Sequence, residues 1–455
     1  MDDFDLALVS ERVVLPDGVR PAVVAIKDGV IAAIITRKRL GSAGEIIDLA
    51  GSVLLPGLVD SHVHVNEPGR ADWEGFETAT RAAAAGGVTT LVDMPLNSVP
   101  VTTTVAALRE KAESAEGRCV VDYGFWGGVV PGNAHELEPL LDAGVLGFKC
   151  FTCPSGIDEF PQVTETDLRA AMSVMAERDA VLLVHAEDPR LIEAAGRLSE
   201  LPESPRSYAN YLASRPPEAE QHAIEWLIGL CKELGCRLHI VHLSSAAAIP
   251  AIRQAKCEGL RLTVETCPHY LKFAAEQIPD GATLYKCAPP IRDRRNREAL
   301  WAALLDGELE MIVSDHSPCP PAMKLLGSGD FCRAWGGISS LQLGLSVIWG
   351  EAGRCEDGLQ RVAEWMCAAP ARLAGLGNQK GSIIVGYDAD LVVFDPDRTF
   401  VVEAATLHHR HAQTPYAEME LCGTVEKTFV RGQLVYDRPD FPERCIGQRL
   451  VGHIR

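Results

Sequence analysis

Short apolar runs alternate with Ala-rich helical segments from about residue 52 onward, and this alternation constrains the fold more than any other feature of the chain. It is typical of a parallel α/β domain. Eight runs qualify as strands, which is the number that closes a (β/α)8 TIM barrel. The predicted barrel strands are residues 53–59, 89–94, 121–126, 147–151, 181–185, 237–242, 262–266 and 311–313.

Both ends of the chain predict a different, all-β structure. Apolar runs at 5–10 and 22–27 are separated by turn signals, and short strand-like runs return after a helical stretch that ends near residue 372. Because about fifty residues are too few for a stable all-β unit, we expect the two ends to pair in one small β-sandwich domain. The predicted division of the 455 residues is 1–52 and 376–455 for this domain and 53–375 for the barrel.

Composition and charge narrow the class of function. Hydrophobic residues make up 47% of the chain and charged residues 23%, as in an ordinary soluble globular protein. The sequence has no apolar run of membrane-spanning length and no basic signal-peptide start, so we expect a cytoplasmic protein. A net charge of -19 without a basic cluster argues against nucleic-acid or membrane partners. The expected partner is therefore a small-molecule substrate.

The cysteines predict reduced thiols and no disulfide framework. All fourteen are scattered through a long chain, at apolar positions such as Cys150, Cys236 and Cys287. Cys150 and Cys153 have the C-x-x-C spacing of a redox or zinc motif, but no second such pair follows to complete a zinc site.

Ligand-type side chains fall at the predicted strand ends. His62 and His64 follow the first strand, and an extended H-x-H segment places both imidazoles on the same side. The carboxyl ends of parallel barrel strands meet at one face, so residues distant in sequence can converge there. The further members of this set are Lys149 in the fourth strand, His185 ending the fifth, His242 ending the sixth and Asp315 after the eighth. The pattern predicts a metal site.

Two members of the set need a physical explanation for their burial. Asp315 ends a buried run, where an unpaired carboxylate is costly to desolvate and a metal would remove that cost. Lys149 lies in an apolar strand without a nearby carboxylate in sequence, which leaves two interpretations open. Either a salt bridge pairs its ammonium, or the amine reacts with carbon dioxide to give a carbamate that bridges two cations. Seven other histidines are predicted to be structural or surface residues: His135, His222, His239, His408, His409, His411 and His453.

With these motifs, the chain resembles the cyclic amidohydrolases of the amidohydrolase superfamily, and among them it is most similar to the allantoinases. The resemblance covers nearly the whole chain. Its matching segments are 57–64, 86–90, 148–151, 185–187, 242–245, 265–270 and 314–318.

The resemblance implies a centre of two divalent metal ions. His62, His64 and Asp315 would hold one cation, His185 and His242 the other, and carboxylated Lys149 would bridge them. Zinc is the expected metal, although the ligand types also suit iron, cobalt or manganese. A metal-bridging hydroxide would attack the cyclic amide, and Asp315 would pass its proton to the leaving nitrogen.

Departures from the related patterns narrow the expected substrate. Dihydroorotases usually carry an arginine where this chain has Asn66, so a clamp for a substrate carboxylate is missing. Hydantoinases and dihydropyrimidinases typically carry a tyrosine shortly after the lysine, and residues 150–156 contain none. Segments 94–97, 155–161 and 335–338 are similar to the allantoinase forms, which implies hydrolysis of allantoin to allantoate in purine catabolism. The alternatives are a hydantoinase or dihydropyrimidinase and an inactive scaffold relative.

The hydantoin ring is planar and polar, so short polar groups are expected to bind it. The candidates are Asn97, Ser317 and the backbones of Cys287 and Ile338, although Asn97 could equally cap a turn. The resemblance further implies a homo-oligomer, with a tetramer favoured.

Overall fold

The computed structural model describes residues 4–198 and 205–452, so His453 lies outside the described residues. The strands are β1 Phe4–Leu15, β2 Gly18–Lys27, β3 Val30–Ile35, β4 Ala43–Asp48, β5 Val53–Pro56, β6 Leu58–Val63, β7 Val88–Asp93, β8 Asp122–Phe125, β9 Gly127–Gly128, β10 Phe148–Phe151, β11 Val181–His185, β12 Arg237–Ile240, β13 Leu262–Thr266, β14 Met311–Ile312, β15 Leu391–Val401, β16 Glu420–Val430 and β17 Gln433–Asp437. The α-helices are α1 Phe76–Ala85, α2 Val105–Ala115, α3 Leu137–Asp142, α4 Glu165–Glu177, α5 Pro189–Leu198, α6 Tyr208–Ala213, α7 Pro217–Leu234, α8 Ile249–Cys257, α9 Pro268–Lys272, α10 Arg294–Leu305, α11 Gly344–Ala352, α12 Gly358–Ala363 and α13 Ala369–Leu373.

Strands β6 to β14 form the barrel. Parallel pairing runs from β6 through β7 to β8, and from β9 through β10, β11, β12 and β13 to β14. Since β9 continues the line of β8 after one residue, the two count as a single barrel strand. The ring closes where Val63 bridges His316 and the His64 N–H donates to the His316 carbonyl at 2.8 Å. The predicted (β/α)8 barrel is confirmed.

The strands at the two chain ends form one further sheet. Its order is β17-β16-β15-β5-β1-β2-β3, and β4 also pairs with β1. The two ends meet where β15 pairs antiparallel with β5, with Val392 opposite Leu55. One hydrophobic core of this sheet contains Leu8 and Val24 from the N-terminal strands and Leu391 and Phe429 from the C-terminal strands. The predicted pairing of the chain ends in an extra β domain is confirmed, and the residue numbers of the domain borders stay a prediction.

The predicted first barrel strand, 53–59, is wrong in its bounds. Residues Val53–Pro56 form β5 of the terminal sheet, and the barrel strand β6 begins at Leu58. The chain changes sheet at Gly57, where a Cβ would overlap the Thr89 side chain. Periodicity could not reveal this change because every residue of the run is buried in one sheet or the other. His62 consequently lies within β6, and His64 directly follows it.

All fourteen cysteines are free thiols, and Cys150, Cys236 and Cys287 are buried, as predicted. Within residues 4–198 and 205–452, no helix has the length and apolar character needed to cross a membrane.

A buried charge cluster joins the barrel to the terminal sheet. Lys380 Nζ donates to Asp122 Oδ2 at 2.6 Å and to Asp390 Oδ2 at 2.7 Å, and Arg431 also pairs with Asp122. Asp122 begins β8 of the barrel, whereas Asp390 and Arg431 flank strands β15 and β16 of the sheet. The Lys380 side chain is 0% exposed, so its charge is balanced entirely inside the protein.

Removing this central cation is expected to destabilise the fold. The variant Lys380→Met leaves the carboxylates of Asp122 and Asp390 buried without their shared partner, and we expect a loss of about 3–5 kcal/mol in the free energy of unfolding. Denaturant unfolding measures it, with the surface variant Lys232→Met, which breaks the exposed pair with Glu258, as the control. A loss as small as that of the control would contradict the prediction.

Candidate metal centre

The structure brings the six predicted ligand residues together at the carboxyl end of the barrel. His62 lies in β6, Lys149 in β10 and His185 at the end of β11. His64, His242 and Asp315 lie in the loops that directly follow β6, β12 and β14. All six residues are buried, with exposed fractions of 6% or less.

One half of the cluster consists of two imidazoles and a carboxylate. Asp315 Oδ1 lies 3.2 Å from His62 Nε2 and 3.6 Å from His64 Nε2. One ligand atom from each of these three residues lies within 4.8 Å of the others, close enough to share a single cation. Burial raises the pKa of Asp315, and an ion at this position would offset that cost of burial.

The other half consists of two imidazoles that face each other. His185 Nδ1 lies 3.0 Å from His242 Nε2. Burial lowers the pKa of His185 to about 4 and that of His242 well below its usual range, so both rings are neutral at neutral pH. Neutral imidazole is the form that binds metal, and the nitrogen separation is close to that of two ligands on one ion. The His62 and His242 rings, 5.4 Å apart, connect the two halves.

Lys149 is buried with its amine unsatisfied. The side chain is 1% exposed, and its Nζ has no hydrogen-bond partner among the described residues. Within residues 4–198 and 205–452 no carboxylate oxygen accepts a hydrogen bond from this amine, so the structure does not support the salt-bridge interpretation. Burial lowers the pKa of Lys149 to about 7, which leaves part of the amine neutral and able to react with carbon dioxide near neutral pH. A buried, partly neutral amine without a hydrogen-bond partner, close to imidazole and carboxylate ligands, fits a carbamate.

Two buried glutamates orient the histidines. His62 Nδ1 donates to Glu265 Oε1 at 2.5 Å, and the other oxygen of Glu265 accepts from His239 Nε2 at 2.9 Å. Burial would raise the pKa of Glu265, but His62 and His239 lower it to about 2, so the carboxylate is ionised. His185 Nε2 similarly donates to Glu187 Oε2 at 2.7 Å. These contacts leave His62 Nε2 and His185 Nδ1 free to bind metal.

Sequence reasoning assigned no role to these glutamates. Arg215, which pairs with Glu187, was also missed. A signal for Glu265 existed, because it interrupts the apolar strand β13 near its carboxyl end, as ligand-type residues do in other strands. The prediction that His239 is not a ligand agrees with its contact to Glu265.

Weakening the support of His62 is expected to lower metal affinity. In Glu265→Gln the neutral amide replaces the carboxylate that holds the imidazole, and we expect metal affinity to fall by about 10- to 100-fold. Competition with a chromophoric chelator measures it. The exposed helix variant Glu225→Gln is the control, and equal affinities of the two variants would contradict a positioning role for Glu265.

A cleft of about 560 Å³ opens over the cluster. Of the predicted substrate-binding residues, Asn97, Cys287 and Ser317 line this cleft. Asn97 Nδ2 lies 3.3 Å from His64 Nδ1, and Ser317 Oγ donates to Asp315 Oδ1 at 2.8 Å. Ile338 is buried and does not line the cleft, and its carbonyl accepts the Ser317 N–H at 3.0 Å. A second cleft, of about 640 Å³ and lined by Arg178 and Arg372 among others, contains none of the predicted site residues.

Asn66 and the segment after Lys149, which distinguish the related substrate classes, place no charged side chain in the cleft. Asn66 is fully buried and its amide donates to the Pro318 carbonyl at 3.3 Å, so it places no charge in the cleft. Phe151 lines the cleft from the segment after the lysine. Tyr211 from α6 also lines it, but its hydroxyl already donates to the Cys287 carbonyl at 2.6 Å.

The chain is similar in sequence to known amidohydrolases over most of its length. Residues 53–435 match the amidohydrolase family. The chain is 51% identical to an allantoinase of Streptomyces avermitilis, over 97% of this chain and 98% of that protein. It is 47% identical to an allantoinase of Arabidopsis thaliana, over 94% and 87% of the two chains. It is 45% identical to an allantoinase of Saccharomyces cerevisiae, over 98% of each.

Solved structures of related enzymes have the same fold. An L-hydantoinase (dihydropyrimidinase) from Arthrobacter aurescens superposes with a TM-score of 0.95 at 33% identity, covering 98% of this chain and 100% of that one. A dihydropyrimidinase from Brevibacillus agri superposes with a TM-score of 0.90 at 30% identity, covering 98% of each chain.

Proposed function

The chain belongs to the amidohydrolase family, and on that premise we propose that it opens the ring of allantoin by hydrolysis to give allantoate, a step of purine catabolism. The observation that carries the proposal is the similarity over nearly the whole chain to allantoinases of a bacterium, a plant and a yeast. The hydantoinases of similar structure are less similar in sequence, which favours allantoin over hydantoin as the substrate.

We propose that two divalent cations, zinc being the expected metal, are held by the six buried residues. His62, His64 and Asp315 would hold one, His185 and His242 the other, and the carbamate of Lys149 would bind both. When bound, such a pair of ions activates a water molecule and polarises the amide carbonyl. The orphaned Nζ of Lys149 and the facing nitrogens of His185 and His242 support this arrangement.

Asp315 is the proposed proton carrier. Its carboxylate takes a proton from the attacking water as the water oxygen bonds to the carbonyl carbon, and delivers it to the ring nitrogen as the carbon–nitrogen bond breaks. The Ser317 hydroxyl donates to Oδ1 and holds the carboxylate in place.

The cleft supplies short polar groups for a planar, polar ring. Asn97 contacts His64, Ser317 contacts Asp315, and Cys287 lines the same cleft. We propose that these groups bind the ring, with Ile338 positioning Ser317 through its carbonyl. The absence of a charged group at Asn66 agrees with an uncharged substrate.

Parallel assays of metal-loaded protein with allantoin, hydantoin and dihydrouracil test the substrate. We expect kcat/KM to be highest for allantoin. Faster opening of hydantoin or dihydrouracil would assign the chain to the rival hydrolase class. No hydrolysis of any of the three after loading with zinc, cobalt or manganese and bicarbonate would favour an inactive scaffold.

The assembly and the location of the protein are proposed from the family resemblance and the sequence. We expect a homo-oligomer, with a tetramer favoured, and a cytoplasmic location. Light scattering coupled to size-exclusion chromatography tests the first expectation, and fractionation of cells tests the second.

A further inference from the structure

One wall of the cleft is an irregular segment, residues 332–337, which we call the wall segment. Every one of its residues lines the cleft. The segment contains no helix or strand, so a regular hydrogen-bond ladder does not fix its shape. Other contacts must hold it against the substrate side of the barrel.

Two lysines outside the segment donate to its carbonyls. Lys286 Nζ donates to the carbonyls of Cys332 at 3.2 Å and Ala334 at 2.5 Å. Lys324 Nζ donates to the carbonyls of Trp335 at 3.1 Å and of Gly337. Lys324 also lies 3.4 Å from the Lys286 carbonyl, which links the two lysines. Four of the six peptide carbonyls of the wall segment thus point at two ammonium groups.

Burying these ammonium groups is costly. Lys286 is 9% exposed and Lys324 is 3% exposed, and in the part of the chain that the structure describes both ammonium groups donate to peptide carbonyls and to no carboxylate. Burial lowers the pKa of each to about 8. The Tyr211 ring, 5.2 Å from Lys286 Nζ, gives partial compensation. Apolar side chains would fill the same space without this cost. The two lysines must therefore contribute more than packing, and their contribution is the set of hydrogen bonds to the wall segment.

The wall segment is in turn packed against the residue beside the proposed proton carrier. A Cβ at Gly337 would overlap the Ser317 carbonyl, so the two backbones are in close contact. Ser317 donates to Asp315 Oδ1. The wall segment therefore contacts the residue that holds the carboxylate of Asp315 in place.

We propose that Lys286 and Lys324 are positioning residues that clamp the wall segment in the shape that the ring substrate requires. The part of this inference that concerns substrate rests on the proposed function, because the cleft must be the site where the cyclic amide binds. The clamp itself is a property of the fold. The mobility of the wall segment reports on the clamp whether or not the protein hydrolyses allantoin.

The test uses Lys324→Met and Lys286→Met in the metal-loaded full chain, with Lys232→Met as the control for loss of a lysine at the surface. Hydrogen–deuterium exchange is followed in peptides that contain the wall segment, whose N–H groups at Trp335 and Gly337 donate to the carbonyls of Met323 and Lys286. Loss of a charge-assisted hydrogen bond is expected to speed exchange there by about tenfold or more, with the metal content and the exchange of the barrel strands unchanged.

Steady-state kinetics with allantoin gives the second readout. We expect each clamp variant to raise KM by about tenfold, with a smaller fall in kcat, because the wall is no longer held in shape before the substrate binds. If Lys324→Met fails to fold, the exchange of the wall segment in Lys286→Met tests the clamp, because residue 286 lines the cleft. Unchanged exchange in the wall segment of a folded variant overturns the proposal, even if KM rises. If the unmodified protein does not hydrolyse allantoin, the proposed function fails while the exchange measurement still decides the clamp.

Discussion

Replacing Lys149 by alanine is expected to remove the bound metal and lower kcat/KM for allantoin by about a thousandfold or more, since a metal centre contributes several kcal/mol to the stabilisation of such transition states. The reason is geometric. The Nζ of Lys149 is a buried polar atom beside the ligand cluster, and it has no hydrogen-bond partner among the described residues. Metal analysis and steady-state kinetics on the purified variant measure both losses.

Chemical rescue separates a carbamate from an ordinary lysine. The side chain removed in Lys149→Ala leaves room for a small carboxylic acid, so we expect acetate or propionate to restore part of the metal and of the activity. Lys149→Arg fills the same space with a group that forms no carbamate, and it serves as the control that the acids do not rescue. Full activity of Lys149→Ala without any acid would contradict the proposed role.

Asp315→Asn is expected to lower kcat for allantoin by about 10²- to 10⁴-fold, which is the usual contribution of a positioned proton carrier. The amide keeps the shape of the side chain and its contact with Ser317, but it cannot accept a proton from water. Metal content is measured beside kcat, because the amide is also a weaker ligand than the carboxylate. The exposed variant Asp179→Asn is the control.

Two outcomes of the Asp315 experiment are informative. A low kcat with the metal retained supports proton transfer by Asp315. Wild-type kcat in a variant that still holds metal would show that another group carries the proton.

The barrel fold was predictable because short stretches of sequence, each with its own hydrophobic pattern, indicate the strands and helices. The apolar runs and the Ala-rich segments between them predict parallel strands and helices without knowledge of their partners, and the structure contains them. The change of sheet at Gly57 was not predictable from the pattern. A strand buried in the terminal sheet and one buried in the barrel are equally apolar, and only the pairing of Val392 with Leu55 distinguishes them.

The ligand-type residues were predictable for a related reason, since polar residues at the ends of apolar strands are conspicuous. Their supporting residues were not. Glu265 contacts His62 across 203 positions of sequence, and nothing local connects the two. The lysine clamp was still less visible, because Lys286 and Lys324 bind backbone carbonyls, which carry no sequence signature.

The most direct test of the proposed reaction is mass spectrometry of the product that metal-loaded protein forms from allantoin in heavy-oxygen water. Hydrolysis of the ring amide adds the oxygen of water to the carbonyl carbon, so we predict allantoate with a single heavy oxygen in its new carboxylate. Removing the metal with a chelator should abolish its formation. Recovery of allantoin with its ring intact, under conditions in which the protein is folded and metal-loaded, would contradict the proposal.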